Sequence, residues 1–233
     1  EKLLKKVAFL PKKEFSNACR GEPVEIGEQD RELTRSASQL HASINRATGT
    51  TTSADDETGG NLFELHGWIP GSRSGCMNIY IADRVGDQIE QVVRLLRDVD
   101  LSGFGKKKSS GMGAFRIVSE PEPWQPPHVN GNANGFVSLS GFVPAQQDPT
   151  TGFWQVKVKH GKLGESYAVG GDPFKYPWIV LQAGASFGTN GPPGEVYGRM
   201  IEGISPKYPD VVQYGFAFPV PAVISSETLW KAQ

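Results

Sequence analysis

The sequence predicts an α+β protein: a ferredoxin-like unit in the first half, lacking its N-terminal part, and a strand-rich second unit that reads as a degenerate copy of it. Three observations carry this. The chain has 28 Gly and 17 Pro among 233 residues, which disfavours a helical bundle because both residues break helices and favour strands joined by turns. Residues 61–118 run strand, strand, helix, glycine-rich loop, strand, the order of the back half of a ferredoxin-like unit. A Pro-rich stretch at 120–134 then reads as a linker, and strand patterns recur after it. We place the first domain at 1–124, the linker at 125–134 and the second domain at 135–233. The chain opens on Glu1 rather than Met, so the first strand and helix of the first domain are expected upstream.

Each element has a local reason. Residues 1–35 show no assignable pattern, and residues 35–60 are polar and rich in turn formers, so 48–60 reads as an exposed loop. Residues 61–69 carry Phe63, Leu65 and Trp68 and read as a strand. Residues 75–83 alternate, with Met77, Ile79 and Ile81 on one face, which predicts a half-buried strand. Asp87 with Glu90 forms a capping-box signature. Ile89, Val92, Val93, Leu96 and Val99 then follow helical spacing on one apolar face, and Gly103 ends the helix. Residues 114–118 read as a strand with Phe115 and Ile117 on one side. In the second domain, strands are expected at 135–143, 153–159, 178–183, 195–204 and 211–220.

Composition narrows the function. Hydrophobic residues make up 38% of the chain, which argues against wholesale disorder. No run of about eighteen apolar residues exists, so no membrane partner is expected. Cys19 and Cys76 form no CxxC pair and read as reduced thiols, which predicts a cytoplasmic protein. With 24 basic and 25 acidic residues, any basic surface has to be local.

Such a surface lies at residues 101–116, Leu-Ser-Gly-Phe-Gly-Lys-Lys-Lys-Ser-Ser-Gly-Met-Gly-Ala-Phe-Arg. Gly103, Gly105, Gly111 and Gly113 let the backbone turn tightly and approach a ligand. Exposed N–H groups, the hydroxyls of Ser109 and Ser110, and Lys106, Lys107, Lys108 and Arg116 suit phosphate oxygens. A helix C-cap followed by a solvated charged turn is the plainer alternative. Neither a Walker A loop nor a dinucleotide fingerprint fits the glycine spacing, and the loop follows a helix and precedes a strand, the reverse of both. A polyanionic backbone fits better than a mononucleotide.

These residues resemble the glycine-rich loop of the RAMP superfamily of CRISPR-associated RNA-binding proteins. Residues 41–50, His-Ala-Ser-Ile-Asn-Arg-Ala-Thr-Gly-Thr, resemble a His-x-Ser-Ile-Asp-Arg-x-Thr-Gly motif, with Asn45 where Asp is usual. Residues 197–203 (Tyr-Gly-Arg-Met-Ile-Glu-Gly) and 214–221 (Tyr-Gly-Phe-Ala-Phe-Pro-Val-Pro) resemble C-terminal segments of the fourth-subunit family of the type III-A (Csm) effector complex. The likeness runs from about Lys2 to Pro221. It implies two ferredoxin-like (RRM-like) domains and a non-catalytic role in antiviral defence. The implied partners are the 5′ handle of the CRISPR guide RNA, the large signalling subunit and the backbone subunit, with no cofactor and no metal. The RNA-binding residues it implies are His41, Asn45 and Arg46 together with the glycine loop. Hydrogen bonding within the domain is the alternative role for the first three.

Other readings compete. A RAMP endoribonuclease that processes precursor guide RNA would use His41 as general acid or base; its glycine-rich loop would be expected near the C-terminus rather than mid-chain. A generic interaction module would set the Gly/Lys loop against protein. Gly184, Ser186 and Gly188 fit G-x-S-x-G, but the turn formers that follow deny the helix a nucleophile elbow requires. Asp55, Asp56 and Glu57 read as a solvated acidic loop rather than a metal site, and His66, His128 and His160 lack metal-ligand spacing. Trp154, Trp178 and Tyr197 are either stacking platforms or core. Lys157, Lys159, Lys162 and Lys175 form a second basic patch, for RNA or for solubility.

Overall fold

The structure, a computed structural model of the chain, describes residues 9–27, 34–42, 44, 49, 62–70, 76–105, 108, 112–129, 133–164, 167 and 172–225. It is α+β, with two helices and three antiparallel sheets among the described residues. No helix among the described residues is long and apolar enough to cross a membrane.

The first element, unassigned from sequence, is helix α1, Lys12–Cys19. It starts after Pro11, the N-cap, whose carbonyl accepts from the Phe15 amide at 2.9 Å, and Glu14 in its first turn complements the dipole. Strands β1 (Thr34–Ala42) and β2 (Leu62–Pro70) form an antiparallel ribbon in register from Thr34↔Pro70 to Ala42↔Leu62. The strand expected at 61–69 is therefore present, but its partner β1 falls in the segment read as polar and turn-rich. Only cross-strand bonding makes residues 34–42 a strand, since they lack apolar alternation.

Two expected strands are absent. Residues 76–83 carry no strand, and Met77, Ile79 and Ile81 are exposed by 57%, 62% and 39%. Alternation makes a strand only where a neighbour accepts its hydrogen bonds, and among the described residues none pairs here. Residues 114–118 likewise lack a ladder, although Phe115 and Ile117 turn inward while Ala114, Arg116 and Val118 face out. The Ile117 amide instead donates to Asp100 at 3.2 Å.

Helix α2 spans Ile89–Ser102. Val92, Val93, Leu96 and Val99 are half-buried as expected, whereas Ile89 is exposed. The Asp87 capping box does not form: Gln88 is the N-cap and makes no side-chain capping bond. Asp83 takes over, accepting from the amides of Val85, Gly86 and Gln88 at 2.9, 2.8 and 2.7 Å. These bonds, led by those of Gly86 and Gln88, hold its carboxyl below the usual carboxylate range. Gly103 closes the helix, donating to the Val99 carbonyl at 2.7 Å.

The second half holds β3 (Gly135–Ser138), β4 (Gly152–Phe153), β5 (Val156–Lys159), β6 (Trp178–Leu181), β7 (Ser186–Gly188) and β8 (Pro219–Ala222). A four-stranded sheet has the order β4-β7-β3-β8, and β5 pairs with β6 as a separate ribbon. The expected strands are thus shorter. Segments 195–204 and 211–220 meet only through the bridges Gly198↔Phe216 and Ile201↔Gln213 before β8 begins. Ser186 heads β7 between β4 and β3, so the G-x-S-x-G segment is sheet, not an elbow.

The four-stranded sheet is packed on both faces, as alternation on β3 shows. Phe136 faces a cluster of Phe142, Leu181, Ala185, Phe187, Tyr197 and Ala217. Val137 faces the other side, where Cys19, Val220 and Ala222 gather with Phe15, Trp124 and Phe218 around them. Helix α1 thus covers the second sheet, and the Val223 amide donates to the Cys19 carbonyl at 2.8 Å. The expected linker is anchored at both ends: Trp124 packs 4.4 Å from Tyr80, and Asn134 exchanges two hydrogen bonds with the Ile224 backbone. Cys19 and Cys76 are free, the first buried and the second exposed. Burial pushes the Cys19 thiol up to about 11.

Candidate nucleic-acid interface

Helix α2 delivers the chain into the glycine loop because Gly103 adopts φ 78°, where an L side chain is strained. Gly105 and Gly113 also have positive φ, 95° and 77°. The loop closes on itself where the Phe104 amide donates to the Gly113 carbonyl at 2.9 Å. A Cβ on Gly113 would lie 1.8 Å from the Phe104 oxygen, so only glycine permits this closure. The Lys108 amide donates to the Gly105 carbonyl at 3.4 Å. Its side chain and that of Arg116 are exposed, and neither pairs with an acid among the described residues. Phe104 is 75% exposed beside them. The closed backbone therefore presents two unneutralised cations and an open aromatic ring, a combination suited to a polyanion with stackable bases.

The loop sits against the β1–β2 ribbon. A Cβ on Gly67 would lie 2.5 Å from the terminal methyl of Met112, so Met112 packs over Gly67. Gly67 is paired with Ala37, and His41 lies four positions further along the same strand. At roughly 3.4 Å per residue, the contact point and His41 are about 14 Å apart. The His41 ring stacks on Phe63, with centroids 5.6 Å apart and planes at 17°. Its Nε2 is buried and has no hydrogen-bond partner among the described residues. The structure thus places His41, Gly103, Gly105, Lys108, Gly113 and Arg116. Asn45, Arg46, Lys106, Lys107, Ser109, Ser110 and Gly111 lie outside the described residues, as do Asp55, Asp56 and Glu57.

The two C-terminal motif segments are packed together. Tyr197 is buried, stacked 3.9 Å from Phe136 at 11°, and its hydroxyl accepts from the Gly194 amide at 2.6 Å. Tyr197 is core, whereas Trp154 remains 45% exposed. On the β5–β6 ribbon Lys159 is opposite Trp178. The Lys175 Nζ lies 5.8 Å from the Trp178 ring centre and donates to Gln213 at 2.9 Å. The Lys162 Nζ lies 5.6 Å from the Phe174 ring centre. Among the described residues, no group of three or more His, Cys, Asp or Glu is placed to hold a metal ion.

Sequence reasoning missed the cleft shared by Trp154 and Arg199, which are remote in the chain. Comparison with protein-family models and with curated proteins finds no match for the chain.

Proposed function

We propose that the chain is a non-catalytic RNA-binding subunit of two ferredoxin-like domains. It caps the 5′ handle of a CRISPR guide RNA in the cytoplasm and bridges the large signalling subunit to the backbone filament of a type III-A complex. One observation carries the binding role. The Gly103–Gly113 closure is possible only with glycine at 113, and it displays Lys108, Arg116 and Phe104 to solvent. A helix cap followed by a solvated charged turn would require Gly103 but not the second closure at Gly113. The enclosed Nε2 of His41 counts against proton transfer through that atom, because a general acid or base must reach the reacting oxygen.

The test is RNA binding across a salt series. Lys106, Lys107 and Lys108 replaced together by Ala should weaken guide binding and lower the slope of log affinity against log salt by about 2, at roughly 0.7 per single-strand phosphate contact. An unchanged slope would take RNA away from the loop. Cleavage of precursor guide by the wild type, abolished in His41→Ala, would replace the capping role with the endoribonuclease one.

A further inference from the structure

A cleft of about 650 Å³ opens beside the four-stranded sheet, with Trp154, Phe187, Leu181, Pro144, Asp148 and Arg199 among its walls. Its volume falls within the range of sites that hold organic ligands. Trp154 stacks on Phe187, with ring centres 5.2 Å apart and planes at 9°. Phe187 is 3% exposed, so one face of the indole is fixed against the core. The ring nevertheless remains 45% exposed, and the indole borders the cleft. A rigid aromatic plane, backed by a buried ring and open to solvent, is what base stacking requires.

Arg199 supplies the second feature. Its Nε donates to the Pro144 carbonyl at 3.3 Å, and no acid pairs with it among the described residues. The terminal nitrogens of the guanidinium are thereby left for an anion. Asp148 holds the two walls together: its Oδ2 accepts from the Ala145 amide at 2.8 Å and from the Gly198 amide at 2.7 Å. Those amides flank Pro144 and Arg199 in sequence, so the carboxylate sets the cation relative to the apolar wall. A flat apolar platform and an unpaired planar cation in one cleft match an unstacked base and its neighbouring phosphate.

We propose that this cleft is a base-binding subsite in the second half of the chain, with Trp154 stacking one unpaired RNA base and Arg199 holding an adjoining phosphate. The subsite rests on the RNA-binding role above and is separate from the glycine loop. It is tested with a short fluorescein-labelled single-stranded polyadenylate RNA, followed by anisotropy across a salt series. Trp154→Ala should weaken binding about tenfold, Trp154→Phe should retain most of the affinity, and Arg199→Ala should lower the salt slope by about 0.7. Because truncation at Trp154 uncovers Phe187, each variant is also melted; exposed Arg199 provides the readout should Trp154→Ala unfold. Wild-type binding that neither Trp154→Phe nor Arg199→Ala alters, with Trp154→Ala folded and equally tight, overturns the subsite and leaves the loop assignment standing. A wild type that binds no RNA overturns both. An aromatic peptide bound at the cleft in place of RNA assigns it to a protein partner and also overturns the proposal.

Discussion

Replacing Gly113 by Ala should open the loop while leaving the distant core folded. Two costs add. At φ 77° an L residue loses about 1–2 kcal/mol. The new Cβ would also sit 1.8 Å from the Phe104 oxygen, forcing the strands of the loop apart. That movement breaks the 2.9 Å bond from Phe104 to Gly113, a loss of about 0.5–1.5 kcal/mol. The sum, about 1.5–3.5 kcal/mol, shifts the closed-to-open equilibrium by roughly ten- to several-hundred-fold. Gly105 provides the control: its φ is 95°, but a Cβ there meets nothing within 4 Å. Gly105→Ala therefore carries only the conformational cost, about 1–2 kcal/mol. Hydrogen exchange at the Phe104 amide and RNA affinity are measured for both variants. Gly113→Ala should lose protection and affinity more severely than Gly105→Ala. The reasoning fails if the order is reversed, or if Phe104 stays protected in Gly113→Ala.

Two further outcomes concern the scaffold. Phe136 is fully buried and stacked 3.9 Å from Tyr197 and 5.5 Å from Phe187, so Phe136→Ala should lose about 3–5 kcal/mol in urea unfolding; a loss below about 1 kcal/mol would deny this cluster its place as the core. The folded Cys19 thiol ionises near 11 against an ordinary 9.0. Its contribution is complete below pH 9 and falls as pH rises towards 11, by about 1.4 kcal/mol per unit, because the unfolded chain releases the proton first. Cys19→Ala should flatten that decline relative to wild type, and parallel pH profiles of the two would refute it.

Legibility followed the range of the interactions. Helix α2 was readable because its apolar spacing and Gly103 are both local, as were the hydrophobic residues of β2. The Asp87 cap was misplaced because Asp83, four residues upstream, accepts from three amides in an Asx-type turn ahead of the helix, which the capping-box pattern does not include. The alternation of Met77, Ile79 and Ile81 resembled a strand, yet alternation describes a face and does not supply a neighbour. The opposite error hid β1, whose Ser and Gln residues carry no pattern and which owes its conformation to nine paired positions on β2. Strand β7 was concealed inside a catalytic-looking motif for the same reason.

The loop glycines and their lysines were evident in sequence, since positive φ and exposed charge are properties of consecutive residues. The stacking of His41 on Phe63 and the docking of Met112 over Gly67 were not, because each joins residues more than twenty positions apart in the chain. The sequence by itself determined the α+β class, the position and end of α2, and a glycine-rich basic loop. Only the tertiary structure decided that α1 covers the second sheet and that 76–83 pairs with no strand among the described residues. It alone set Trp154 and Arg199 in one cleft. The physical reason is that conformational preference is encoded within a few residues, whereas hydrogen-bonded pairing and side-chain burial depend on partners that only the folded chain brings near.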